Sequence, residues 1–212
     1  MASSAGMLQQ SRPEPVIYTS LGLEALSQRL LGVTTCAILD LGPVRSANIE
    51  FWSHFNPFMY IADLRSGLPL PVSAANDSED ADFVEPDWNH LLALPEGRSF
   101  DVILAWDLLN YLELRSVASL IRFLKGYCRP GTVLFTLIFD QKEMPEEITA
   151  YRIMDESHLA YEYCSSRMRV CPRHQPRAMT GVMSHFQASN SFRLRNGIVE
   201  FLFVYEGEPP GS

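Results

Sequence analysis

The sequence predicts an α/β protein: a three-layer sandwich in which a mostly parallel sheet of seven strands lies between helices and closes with a C-terminal antiparallel hairpin. Three observations predict it. Short apolar runs at Thr35 to Leu41, Phe58 to Ala62, Ser99 to Trp106 and Thr132 to Phe139 alternate with stretches of helical spacing, the order that builds parallel sheets with right-handed crossovers. The first run passes through Asp40-Leu41-Gly42 into a turn and then a helix, as a strand does when it feeds a ligand-binding crevice. Finally, Asn196-Gly197, the strongest short hairpin signal, joins the alternating segment Ser191 to Arg195 to the apolar segment Ile198 to Tyr205.

Taken in order, Ser20 is a plausible N-cap for a helix whose Leu23, Leu26 and Leu30 share one face and which ends near Gly32. Ile49, Phe51, Trp52 and Phe55 give the next helix, stopped by Asn56-Pro57. The segment from Leu64 to Gly97 is rich in proline and acids and reads as a long connection, with a short strand or helix around Phe83 to Leu94; without a strand there, the sheet has six strands. Val117, Leu120, Ile121 and Leu124 form the stripe of a covering helix, and Arg129-Pro130-Gly131 turns the chain into the strand that follows. Pro176 fits the first turn of a helix through Arg177 to Phe186. The last strand inserts into the sheet and its hairpin partner forms the edge. Residues 16–206 are expected to make one domain, with loose tails at 1–15 and 207–212.

Composition narrows the function classes. The 212 residues carry a formal net charge of −8, which disfavours a binder that works by neutralising nucleic-acid phosphates. The N-terminal residues lack a secretory apolar core, and no apolar stretch is long enough to span a membrane, so a cytoplasmic location is expected. Cys36, Cys128, Cys164 and Cys171 show no Cys-x-x-Cys pair and read as reduced thiols. His54, His90, His158 and His185 lack ligand spacing, so no metal is expected.

The residues that carry chemistry gather around the predicted strand ends. Asp63 closes the second strand roughly twenty positions after the Gly42 turn, where a βαβ nucleotide site places its ribose-binding carboxylate. A carboxylate suits that task because it offers two acceptor oxygens. The turn itself is poor in glycine: Pro43, Val44, Arg45 and Ser46 add side chains where close approach favours none. Arg45 could take a ligand carboxylate and Asn48 could add hydrogen bonds at the helix start. Asp107, Asn110 and Tyr111 follow the third of the long apolar runs, at the edge where open α/β sheets bind ligands. Asp77, Glu79, Asp80, Asp82, Glu85 and Asp87 read as a solvated acidic loop, and Arg167, Arg169, Arg173, His174 and Arg177 as a solvated basic face or a site for an acidic partner.

Three stretches together resemble the class I S-adenosylmethionine-dependent methyltransferases: Ile-Leu-Asp-Leu-Gly at 38–42, Met-Tyr-Ile-Ala-Asp at 59–63, and Phe-Asp-Val-Ile-Leu-Ala-Trp-Asp-Leu-Leu-Asn-Tyr-Leu at 100–112. With the terminal hairpin, the resemblance covers about Leu21 to Tyr205. It implies a Rossmann-like sheet, S-adenosyl-L-methionine as cofactor, and a cofactor site drawn from Asp40, Gly42, Arg45, Asn48, Asp63, Trp106 and Asp107. Asp107 and Tyr111 are then the candidate catalytic pair, orienting a small-molecule or protein acceptor. The glycine-poor turn keeps a second expectation open, a catalytically inactive methyltransferase-like module that binds a protein partner or ligand. A nicotinamide-dependent enzyme is disfavoured by the missing Gly-x-Gly-x-x-Gly and by the hairpin.

Overall fold

The computed structural model describes residues 15–64, 68, 84–162, 167–172, 174 and 176–207. Its main sheet orders six strands as β10, β11, β5, β4, β2, β3. Next to one edge, β2 (Cys36–Asp40) pairs in parallel with the edge strand β3 (Pro57–Ile61) on one side and with β4 (Phe100–Trp106) on the other. Next, β5 (Cys128–Phe139) runs parallel to β4, and the hairpin of β10 (Phe186–Arg193) and β11 (Ile198–Tyr205) adds two antiparallel strands, with β11 inside and β10 at the edge. The sequence predicts this hairpin placement because Phe201, Leu202 and Phe203 are apolar in succession, as a strand covered on both faces must be.

Helix α1 (Leu21–Arg29) begins as predicted, with the Ser20 hydroxyl oxygen accepting from the Leu23 amide at 3.0 Å. Helices α2 (Ser46–Ser53) and α4 (Leu114–Lys125) follow β2 and precede β5. Burial of Val117, Leu120, Ile121 and Leu124 on one face of α4 matches the predicted stripe.

Several expectations need correction. Among the described residues the main sheet has six strands, not seven: the Phe83 region contributes helix α3 (Trp88–Leu92), capped by Asp87, whose carboxylate accepts from the His90 amide at 3.1 Å. Phe83 itself and Asp77, Glu79, Asp80 and Asp82 lie outside the described residues, as do Cys164 and Arg173. Arg129-Pro130-Gly131 is part of β5, whose register against β4 shifts there while Gly131 takes φ +95°. The C-terminal helix α5 stops at Val182 (Pro176–Val182), and β10 begins at Phe186, five residues before the alternation becomes visible in the sequence.

A further finding is that residues 140–170 hold strands of their own. β6 (Glu143–Pro145) pairs with β9 (Met168–Val170). β7 (Ala150–Ile153) and β8 (His158–Glu162) form a hairpin to which β1 (Val16–Thr19) adds an edge, giving a second sheet ordered β1, β8, β7. No helix among the described residues is long and apolar enough to cross a membrane.

Candidate functional site

The chain leaves β2 for β3 on one side and later returns to β4 on the other, so the carboxyl ends of β2 and β4 flank the crevice where strand order reverses. Open α/β sheets bind ligands there. Asp40 ends β2 and Trp106 ends β4, and the Ala62 amide donates to the Asp40 carbonyl at 2.8 Å, which brings Asp63 alongside.

The Asp40 side chain is buried, and its Oδ1 accepts two hydrogen bonds, from the Gly42 amide at 2.9 Å and from the Trp106 indole Nε1 at 2.6 Å. Burial raises the pKa of its carboxyl to about 6 against the lowering effect of those donors, and the nearby Asp63 charge raises it further. Asp63 is half-buried. The indole lies directly on Gly42: a Cβ placed on that glycine would stand 2.6 Å from Trp106 Cδ1 and 2.8 Å from Nε1. Trp106 reaches this position through a backbone φ of +47°, a left-handed conformation that costs a tryptophan about 1–3 kcal/mol. On its other side the indole stacks against Tyr151 of β7, with ring centroids 5.6 Å apart and planes 5° from parallel, while Phe135 meets it edge-on.

Asn48 faces this assembly from α2 and is buried. Its amide nitrogen donates to the Tyr151 carbonyl at 3.2 Å and its oxygen accepts from the Ile153 amide at 2.8 Å, so it behaves as a surrogate strand partner holding β7 in place. Arg45 is the half-buried N-cap residue of α2, makes no side-chain cap, and leaves its buried Nε without a hydrogen bond. Gly42 and Pro43 are buried, and Val44 is exposed.

Asp107 is fully buried at the start of the 3-10 turn Leu108–Tyr111, with Oδ2 accepting from the Thr149 amide at 3.0 Å. Burial raises the pKa of its carboxyl to about 7. The Tyr111 hydroxyl donates to the Glu147 carbonyl at 2.7 Å, and burial pushes its own pKa well up. Asn110 donates to the carbonyls of Asp107 and Leu137 and accepts from the Phe139 amide, which locks the end of β4 to the end of β5. Asp107, Asn110 and Tyr111 thus sit together, and in this arrangement each holds neighbouring backbone.

The flanking charged groups fall elsewhere. Arg167 pairs with Glu146 at 2.7 Å. His174 Nε2 donates to the Leu109 and Leu112 carbonyls, while burial lowers its pKa. Glu85 accepts from the Ser119 hydroxyl. No group of three or more potential metal ligands occurs among the described residues. Outside the crevice, a groove of about 500 Å³ lies between α2 and the β7–β8 turn, lined by Phe51, Phe55 and Met154 together with Glu50, Arg152 and Asp155.

The sequence reading missed Tyr151 and Thr149, which complete the crevice. The signal was the Ile148-Thr149-Ala150-Tyr151-Arg152-Ile153 stretch, β-branched and aromatic, of strand type but short.

A parallel sheet reversing its order at Asp40, with an antiparallel hairpin whose second strand inserts beside β5, settles the architecture. This is a Rossmann-like α/β fold. No protein-family model and no curated protein matches the chain. Among solved structures it is similar to the Burkholderia thailandensis 1,6-didemethyltoxoflavin-N1-methyltransferase with bound S-adenosylhomocysteine, at 14% identity over 88% of this chain and 78% of that one, with a TM-score of 0.47. It is similar as well to the glycopeptide N-methyltransferase MtfA complexed with S-adenosylhomocysteine, at 12% identity over 87% of each chain and a TM-score of 0.49. A third is Streptomyces venezuelae DesVI, at 13% identity over 86% of this chain and 90% of that one, with a TM-score of 0.45.

Proposed function

We propose that the chain is an S-adenosylmethionine-dependent methyltransferase whose acceptor is a small molecule or a protein. One observation supports this above the others: Asp40 and Asp63 lie side by side at the carboxyl ends of neighbouring parallel strands, at the point where strand order reverses and beside a glycine turn. In this reading Asp63 takes the ribose hydroxyls, the function for which two acceptor oxygens are suited.

The arrangement described above does not fit the cofactor as it stands. The open face that Gly42 should offer is filled by the Trp106 indole, and the Asp40 oxygen nearest to it is already satisfied twice. Binding therefore requires Trp106 to move, and no methyl-transfer step follows from the side chains in their present positions.

Titration calorimetry with S-adenosylmethionine and S-adenosylhomocysteine tests the reading. Binding is expected, with Asp63→Ala weakening it about ten- to a hundredfold through the loss of charge-assisted hydrogen bonds. Absence of heat at millimolar concentration of either compound, for the wild type and for Trp106→Ala alike, overturns it.

The same indole favours a second reading, a catalytically inactive module that keeps the scaffold and binds a partner or ligand elsewhere, with the α2 groove as one concavity among the described residues. That reading expects no cofactor binding by any variant and a cellular role that survives Asp63→Ala.

A further inference from the structure

The residues around Gly42 form a closed circuit. The chain leaves Asp40 through Gly42 into α2; Asn48 of α2 grips the backbone of β7; Tyr151 of β7 stacks on Trp106; and the Trp106 indole returns to Asp40 and covers Gly42. Each link is a direct contact, and the turn that would cradle a nucleoside is one of them. The circuit also extends outward, because Tyr151 meets Tyr161 of β8 at 6.1 Å and Tyr161 meets Tyr18 of β1 at 6.0 Å, so the second sheet backs the stack as a unit.

We propose that Trp106, backed by Tyr151, is an autoinhibitory gate that occupies the nucleoside-binding crevice and must swing off Gly42 before a cofactor enters. This rests on the methyltransferase reading given above. Three features single out Trp106 rather than ordinary core packing. Its Cδ1 and Nε1 lie on the one glycine of the turn, where any side chain on residue 42 would collide with it. Its Nε1 takes up the oxygen of Asp40 that faces the turn. Its backbone is held at φ +47°, and a bulky residue keeps such a conformation only where the surroundings enforce it; strain of this kind clusters at switches and ligand clamps. Movement of the indole about χ1 and χ2 breaks the hydrogen bond to Asp40, the stack on Tyr151 and the edge contact with Phe135, while the backbone ladder between β4 and β5 need not change.

A gate of this kind reduces apparent affinity by the fraction of molecules in the open form, so removing it tightens binding. The experiment is titration calorimetry of the full chain with S-adenosylhomocysteine, using wild type, Trp106→Ala and Tyr151→Ala. Expected is binding roughly tenfold or more tighter for Trp106→Ala than for wild type, with Tyr151→Ala in between, since it leaves the gate in place but unbacked. Tyr151→Ala also serves if Trp106→Ala fails to fold, and its own tightening over wild type then supports the gate. Equal or weaker binding by the variants overturns the gate alone and leaves the methyltransferase reading in place. Absence of binding by every form overturns both.

Discussion

Two glycines in this chain lie against buried carboxylates, and the two corners differ in what surrounds them. At the first, Gly42 donates its amide to Asp40 at the end of β2; at the second, Gly22 donates its amide at 2.7 Å to Glu200, which points from β11 into the start of α1. Neither glycine has room for a methyl group, Gly42 because of Trp106 and Gly22 because Phe135 Cε2 would stand 2.7 Å from its Cβ. Both carboxyls are pushed up in pKa by burial. A buried acid bonded to a glycine amide is therefore not in itself a sign of a ligand site. What separates the corners is the rest of the shell. Glu200 meets the positive end of a helix, with one oxygen bonded to the Gly22 amide and the other without a hydrogen bond, and Phe135 closes over the same glycine, so this joint is structural. Asp40 lies at the reversal of strand order, has a second carboxylate beside it, and is covered by one side chain on a strained backbone.

The sharpest way to break the comparison is to remove that cover. Trp106→Ala should cost about 3–5 kcal/mol in urea unfolding, as large-to-small changes of buried aromatics do. Trp106→Gly should be no less stable than Trp106→Ala, and more stable by up to about 1 kcal/mol, because glycine accepts the positive φ that alanine does not. A glycine variant clearly weaker than the alanine one would show that the left-handed backbone at 106 imposes no strain.

Adding a methyl group at each glycine compares the corners directly. Gly22→Ala presses on a core ring fixed between α1 and β5 and should cost about 3 kcal/mol; Gly42→Ala presses on an indole that can turn away and should cost about 1 kcal/mol. Equal losses in denaturant midpoint at constant slope would mean that Trp106 is as fixed as Phe135.

How much of this could be read in the sequence depends on the range of the contacts that make each part. The parallel strands, α1 with its Ser20 cap and the Asn196-Gly197 hairpin announce themselves through local runs and turn residues. The second sheet does not, since Val16 to Thr19 pairs with residues 158–161, and strands of three to five residues carry too few positions to show a period. The site divides the same way. Asp40, Gly42, Asp63, Trp106 and Asp107 were legible as neighbours because strand ends converge. The direction of the Trp106 indole was not, because it depends on one backbone angle and on Tyr151 arriving from the unpredicted sheet.

Protonation separates Asp107 from its surroundings with a smaller effect. Burial raises its pKa in the folded chain from the ordinary 3.8 to about 7, so the folded form holds a proton that the unfolded form has released between those values. Its contribution to stability is therefore full at low pH and is lost as pH rises from about 4 through 7. Asp107→Asn keeps an oxygen for the Thr149 amide and removes the charge. It should stabilise the protein by about 1–3 kcal/mol at pH 8, with the difference vanishing near pH 4 in melting curves taken at both values.

The smallest expected effect belongs to the Gly22 corner. Glu200 also has a raised pKa through burial, so its contribution likewise falls as pH rises past the ordinary glutamate range. Here the Gly22 amide and the start of α1 already stabilise the charged form, and Glu200→Gln retains the acceptor that the amide needs. The gain at pH 8 should stay below about 1 kcal/mol, less than for Asp107→Asn; each carboxylate leaves one oxygen without a hydrogen bond, but the Ser20 hydroxyl and the Gly22 and Leu21 amides counter the burial of the Glu200 charge. A larger gain for Glu200→Gln would place the unresolved charge on the α1 side of the sheet, and it would then be the Gly22 corner, with Tyr18 beside it, that the fold holds under electrostatic strain.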